Sequence, residues 1–157
     1  AEHGLLLPST EDISLAAEAQ ALFDFYEALA DEKGVSLYLT GEGHVAGDRL
    51  MLRRAISNLL SNALRYTPTQ GQVRIEIGAT GELVTLSVEN TGAVISPELL
   101  PHLFDRFFRA DKSRAHPETD GAGLGLSITR AIVQAHGGTA SVSSSDGKTR
   151  FTLAFPA

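Results

Sequence analysis

Residues 73–89 read Val73-Arg74-Ile75-Glu76-Ile77-Gly78-Ala79-Thr80-Gly81-Glu82-Leu83-Val84-Thr85-Leu86-Ser87-Val88-Glu89. Apolar side chains at 73, 75 and 77, and again at 84, 86 and 88, alternate with polar ones. That is the period of a strand with one wet face and one buried face. The link from Gly78 to Gly81 is short, so the two runs form an antiparallel hairpin. A hairpin with one apolar face needs a covering layer, and the flanking sequence supplies helices for it. Leu22, Phe23, Tyr26, Leu29 and Ala30 recur at helical spacing within Ala16 to Ala30, and Gly34 stops that helix. Asp48 is placed to N-cap a long helix that runs to about Tyr66 and ends at Thr67-Pro68. Leu124 to His136 reads as a third helix, stopped by Gly137-Gly138. Further strands are expected at Ile13 to Leu15, Val35 to Leu39, Ala140 to Val142 and Phe151 to Phe155, the last two joined around Asp146-Gly147. Gly41, Gly43 and Gly47 read as a turn, as does Ser143-Ser144-Ser145. Pro97 to about Phe108 reads as short helical turns, and Arg109 to Asp120 as a mobile polar loop. The predicted fold is an α/β two-layer sandwich. It has a mixed, mostly antiparallel sheet of about five or more strands and about three helices on one face. The strict βαβ alternation of a doubly wound fold is missing.

The chain has 157 residues, enough for one domain with its own core. Thirteen Lys and Arg against 19 Asp and Glu leave a net charge of −6, which argues against binding to nucleic acid or to an anionic membrane surface. With Cys at 0, disulfide scaffolds, thiolate metal sites and Cys nucleophiles are excluded. No apolar run approaches the roughly 20 residues of a membrane span. The start, Ala1-Glu2-His3-Gly4, has no Met and no basic leader, so we expect a piece of a longer chain. The five His are His3, His44, His102, His116 and His136, and none has metal-ligand spacing with another. His136 reads as a helix C-terminal residue suited to the dipole. Carboxylate pairs such as Glu11-Asp12 and Asp31-Glu32 read as solvated.

Four stretches carry unusual chemistry. On the long helix, Asn58 and Asn62 are four apart and share a face away from the apolar stripe, continued by Arg65 and Tyr66. Asn is a mediocre helix-interior residue, so the group reads either as a polar site or as a solvated face. The polar site would offer amide oxygens for a hard cation, a cation for phosphate and a ring for a base. Gly121-Ala122-Gly123-Leu124-Gly125-Leu126 opens a helix with alternating glycines, which reads as an anion site or as a flexible hinge. The dinucleotide fingerprint fails there, because Leu126 stands where a third Gly is required. Gly147-Lys148-Thr149 likewise fails as a phosphate loop, because Val142 holds the earlier Gly position. Arg106, Arg109, Lys112 and Arg114 gather cations just before the glycines, either as a phosphate-covering lid or as a solvated loop. Asn90-Thr91-Gly92, followed by Ile95, ends a strand and suits a heterocycle or a simple Asx turn.

These motifs, in this order, resemble the catalytic ATP-binding domain of bacterial sensor histidine kinases, part of the gyrase, Hsp90 and MutL ATPase superfamily. The resemblance covers nearly the whole chain and implies the Bergerat ATP-binding fold. Asn58 to Pro68 is similar to the family's N box, and Asn90-Thr91-Gly92 falls at its G1 box. Leu103 to Arg109 is similar to its F box, Gly121 to Leu126 to its G2 box, and Gly147 to Phe151 to its closing Gly-x-Thr-x-Phe pattern. Glu89 to Gly92 and Phe104 to Asp111 most resemble the heavy-metal (copper, cobalt-zinc-cadmium, silver) sensor kinases.

The resemblance implies roles at matching positions. Asn62, with Asn58, holds Mg²⁺ on the ATP triphosphate; these two are the implied catalytic and metal residues. Arg65 touches phosphate and Tyr66 flanks the nucleotide. Ile95 and Leu126 line the adenine pocket, and Thr149 lies near the adenine edge. Gly121, Gly123 and Gly125 let a lid over about 105–122 fold onto the phosphates, and Gly92, Phe107, Arg109 and Leu124 complete the nucleotide set. The usual adenine-reading Asp of the family is Asn90 here, and the second G1 glycine is Val94. Related ATPases carry a water-activating Glu about where Asn58 stands, so transfer to a protein histidine is implied rather than transfer to water. None of the five His has the family's acceptor context. The implied partners are therefore a dimerisation domain carrying that His and, indirectly, a response regulator, with the isolated fragment a monomer. Residues 1–10 would continue from the missing helical domain, and 11–157 would form the cytoplasmic catalytic domain of an inner-membrane kinase. Any metal sensing would lie elsewhere, since Cys 0 and Met 1 leave no soft-ligand site. Two rivals stand beside this reading: a stand-alone ATPase of the superfamily and a non-catalytic nucleotide-sensing module.

Overall fold

The computed structural model describes residues 10–92, 95, 97–105 and 124–157. Along the chain run β1 (Glu11–Ser14), α1 (Leu15–Lys33), β2 (Ser36–Gly41), β3 (His44–Gly47), α2 (Arg49–Tyr66), β4 (Gln72–Thr80) and β5 (Leu83–Thr91). After a 3-10 turn at Leu100–His102 come α3 (Leu124–Ala135), β6 (Thr139–Ser145) and β7 (Lys148–Pro156). A five-stranded sheet has the order β2-β4-β5-β7-β6, and β1 and β3 form a separate two-stranded sheet. The β4–β5 hairpin forms as its alternation predicts, with Val73 facing Asn90 and Ile75 facing Val88. Among the described strands only β2 and β4 pair in parallel, so the sheet is mixed and mostly antiparallel. Among the described residues no helix is long and apolar enough to cross a membrane.

One face of the sheet joins the core and the other is wet. Ile75, Leu86, Val88 and Leu153 are buried together with Leu52, Ile56, Leu59, Leu60 and Ile132 from the helices. At about 25 cal/mol per Å² of apolar surface, this layer-on-layer burial is the main stabilising term. On the opposite face Arg150 donates to Glu76 at 2.8 Å and Arg74 lies over the Tyr38 ring at 4.7 Å.

Helix ends follow local chemistry. Ser14 Oγ accepts from Ala17 N–H at 3.1 Å, so Leu15 opens α1 instead of extending a strand. Glu42 supports that end, accepting from Ser14 Oγ and from the N–H groups of Ala16 and Gly43. Burial opposes its charge, but the hydrogen bonds from Ser14, Gly43 and Ala16 outweigh it and hold its carboxyl below the ordinary range. Gly34 closes α1 in the left-handed region at φ +74°. Asp48 Oδ1 accepts from Met51 N–H at 2.9 Å and starts α2 where the sequence places it.

Three expectations need correction. His44–Gly47 is a strand, not a turn, because Ile13 and Val45 pair across β1 and β3 and both are buried. Ser143 to Ser145 continue β6 instead of turning. Glu11 is exposed as expected, and Arg49 Nη2 donates to it at the surface at 2.9 Å. His136 is buried and is a cross-link rather than a dipole partner: its Nδ1–H donates to Ile132 O at 2.8 Å, and Nε2 accepts from Asp48 N–H at 3.1 Å. A Cβ at Gly47 would overlap the His136 ring, which is why glycine stands there. The sequence also gave no sign of Glu18, which is 3% exposed and accepts from Arg49 at 2.7 Å and Arg53 at 2.8 Å.

Candidate functional site

The buried face of the sheet changes character at one end. Ile77, Leu86, Leu153 and Ala140 form one apolar row across β4, β5, β7 and β6. Ile75, Val88, Phe151 and Val142 form the next. The last row is Val73, Asn90, Thr149 and Ser144. Asn90 is 6% exposed and Thr149 is 5% exposed. Buried polar groups cost free energy unless hydrogen-bonded, so their partners are informative. Asn90 Nδ2 donates to Thr91 O at 3.2 Å, which leaves its Oδ1 as an acceptor. Thr149 Oγ1 lies 2.9 Å from Ser144 Oγ, and Ile95 N–H donates to Ser144 Oγ at 2.7 Å. Thr149, Ser144 and Ile95 are thus joined in one local network beside Asn90 in the same row, and Ser144 is a member that the sequence reading missed. The inward alternation of Ala140, Val142 and Ser144 is the signal that marks it.

The long helix supplies the second wall. Asn58 Nδ2 donates to Gly125 O at 3.1 Å, tying α2 to the first turn of α3 and leaving Asn58 Oδ1 as an acceptor. Buried Thr129 adds a second tie by donating to Ala55 O at 3.2 Å. Asn62, one turn on, is half-buried, and its amide has no hydrogen-bond partner among the described residues. Ile95 and Leu126 pack against the core as half-buried apolar groups. Tyr66 is 46% exposed, with the Arg65 guanidinium 5.7 Å from its ring centre. Gly92 links the two walls: its N–H donates to Gly147 O at 2.9 Å, and an added Cβ would lie 3.2 Å from Tyr66 O. At Gly125 an added Cβ would lie 3.9 Å from Asn58 Cγ, with no other described residue within 4 Å.

The expected residues therefore fall into two groups on facing elements, Asn58, Asn62, Arg65 and Tyr66 on α2, and Asn90, Gly92 and Thr149 at the sheet end. Gly125 and Leu126 sit at the start of α3; Leu124 opens that helix. Phe107, Arg109, Gly121 and Gly123 lie outside the described residues, as do Arg106, Lys112, Arg114 and Val94. The donor set suits a hard cation held mainly by a bound ligand's own oxygens. Amide oxygens at Asn58 and Asn62 are available, and among the described residues no group of three or more His, Cys, Asp or Glu forms a metal cluster.

Comparison with known proteins locates this arrangement. Residues 47–157 match the family described as histidine kinase-, DNA gyrase B-, and HSP90-like ATPase. The chain is 50% identical over 158 residues to the sensor histidine kinase CusS of Escherichia coli O6:H1 (strain CFT073), covering 100% of this chain and 33% of that protein. The catalytic domain of histidine kinase ThkA superimposes with a TM-score of 0.81 at 24% identity, covering 94% of this chain and 95% of that one. Full-length ShkA in complex with AMPPNP superimposes with a TM-score of 0.83 at 25% identity, covering 98% of this chain and 32% of that one. The chain thus spans about a third of the length of CusS.

Proposed function

Because the chain belongs to the histidine kinase-, DNA gyrase B- and HSP90-like ATPase family, we propose that it binds Mg-ATP between α2, the polar end of the sheet and α3, and passes the γ-phosphoryl group to a histidine on another domain of the same protein. The observation that carries this reading is the pairing of two walls of complementary chemistry. One offers free amide oxygens at Asn58 and Asn62, and the other a buried polar row at Asn90 and Thr149.

Each residue then has a physical task. Asn62 and Asn58 would hold Mg²⁺, which when bound neutralises charge on the triphosphate. Arg65 adds a cation beside the same phosphates. Tyr66, Ile95 and Leu126 supply flat and apolar contact for the base. Asn90 Oδ1 accepts from the exocyclic amine of adenine, in place of the carboxylate of the wider family. The glycines around Gly125, together with Arg109 and Phe107, would close over the phosphates. Phosphoryl transfer needs mostly positioning and charge neutralisation, and this set supplies both. Asn58 cannot take a proton from water, and its amide is tied to Gly125 O. The favoured acceptor therefore brings its own lone pair, as an imidazole does.

The acceptor histidine belongs to a dimerisation domain elsewhere in the parent, from which a response regulator would take the phosphoryl group. The parent would be a membrane-held heavy-metal sensor kinase with this domain in the cytoplasm, monomeric when isolated. With γ-labelled ATP, label should appear on the parent's histidine domain when that domain is added, and the chain alone should release no phosphate. Steady phosphate release by the chain alone would identify a stand-alone ATPase instead. Replacing Asn90 by Ala should weaken Mg-ATP binding by about ten- to thirtyfold, the loss of a buried acceptor from the base. Unchanged affinity in a fluorescent-nucleotide titration would contradict its place in the pocket.

A further inference from the structure

The helical layer carries an open groove of about 440 Å³ between α1 and α2. Leu22 and Phe25 line it from α1, and Leu50, Arg53, Arg54 and Ser57 from α2. Glu18 accepts from Arg49 and Arg53, and Tyr26 Oη lies 2.9 Å from Ser57 Oγ, so the two helices run side by side in the same direction. Phe25 is 76% exposed and Leu50 is 73% exposed. Single exposed apolar residues are ordinary, but two large ones on adjoining helices that line one groove make a patch that favours being covered. The Phe25 ring is supported from within, meeting Tyr26 edge-on at 5.1 Å. Arg53 is held by Glu18, whereas the exposed Arg54 is paired with no carboxylate among the described residues. The groove thus suits an apolar segment that carries an acid.

Such a segment enters the fold at the mouth of this groove. β1 begins at Glu11, which pairs with Gly47, two residues before α2, and accepts from Arg49 Nη2 at 2.9 Å. The chain before it reads Ala1-Glu2-His3-Gly4-Leu5-Leu6-Leu7-Pro8-Ser9-Thr10, of which 1–9 lie outside the described residues. Leu7 is four residues from Glu11, a reach of about 13 Å. The groove from Leu50 to Ser57 is about 10 Å long at the rise of a helix. Three consecutive leucines can therefore lie along it with no change in the rest of the fold, and Glu2 is an acid for Arg54. We propose that Leu5-Leu6-Leu7 dock in the groove between α1 and α2, over Phe25 and Leu50, with Glu2 turned to Arg54. Any chain before residue 1 then enters the domain on the α1 side of α2, whereas Asn58 on the same helix is tied to α3. The inference stands on the groove and the segment, independently of the nucleotide reading.

The chain has no Cys, so one introduced thiol takes one nitroxide label. Gly4→Cys places that label beside the three leucines. In amide NMR spectra of the full labelled chain without nucleotide, Leu22, Phe25, Leu50 and Arg54 should lose their signals, while Glu76 and Thr152 on the wet face of the sheet keep theirs. Replacing Leu5, Leu6 and Leu7 by Ser in the labelled chain should restore the groove signals. Leu50→Asp should restore those of Leu22, Phe25 and Arg54 as well. It removes an exposed apolar contact at a helix start, where an acid is well placed, so the fold persists. Groove signals that survive in the labelled chain overturn the proposal and leave the groove to a separate partner. Signal loss that the serines do not reverse overturns it too. So does signal loss passed from a labelled copy to a second, isotope-enriched copy, which assigns the groove to a dimer.

Discussion

Replacing Asn62 by Ala should remove Mg-dependent nucleotide binding while leaving the fold intact. Asn62 is half-buried on α2 and its amide has no partner among the described residues, so no hydrogen bond among those residues depends on it. Alanine is also the better helix former, which favours equal or slightly higher stability. The amide oxygen is what a hard cation on the triphosphate requires. Its loss should weaken Mg-ATP binding at least about a hundredfold, or roughly 2.7 kcal/mol. In a thermal melt the wild type should gain about 2.7 kcal/mol from ligand at a hundred times its dissociation constant, and the variant almost none. An unchanged ligand-induced shift in Asn62→Ala would remove Asn62 from the site.

The second large effect concerns stability alone. His136→Ala should cost about 3 kcal/mol, which lowers the melting temperature by about 6–12 °C for a chain of this size. His136 is 8% exposed, bonds Ile132 O and Asp48 N–H, and meets the Phe155 ring edge-on at 6.3 Å. Alanine leaves a cavity and takes the ring Nε2 away from the Asp48 N–H at the start of α2, while Ile132 O keeps the backbone N–H of residue 136 at 3.2 Å. Asn58 and Asn62 lie about three and four turns further along, roughly 15 and 21 Å away, so nucleotide affinity of the folded variant should be nearly unchanged. A melt within 1 °C of the wild type, or an affinity loss larger than the stability loss, would contradict this account.

Much of the architecture is legible from local periodicity. The β4–β5 hairpin and α2 form where alternation and the Asp48 cap place them, because each carries a strong, short-range pattern. What escapes is set by distant partners. β3 has one buried apolar residue between glycines, and only pairing with Ile13 makes it a strand. The role of His136 depends on Asp48, 88 residues away, so a local dipole argument could not find it. For the site, spacing alone puts Asn58 and Asn62 on one helix face. That Asn90, Thr149 and Ser144 share one row is a matter of register across β5, β7 and β6, which no single segment encodes. Three consecutive serines looked like a turn because hydroxyls favour turns, while the inward period of β6 decides the outcome.

Both groups of residues serve one ligand in this account, a triphosphate carried on a divalent cation with its base against the sheet end. The most direct measurement is calorimetric titration of the chain with ATP in the presence and absence of Mg²⁺. The expected result is one nucleotide per chain, bound at least about a hundredfold more tightly when Mg²⁺ is present. No binding heat under either condition, across a range of temperatures, would contradict the central claim.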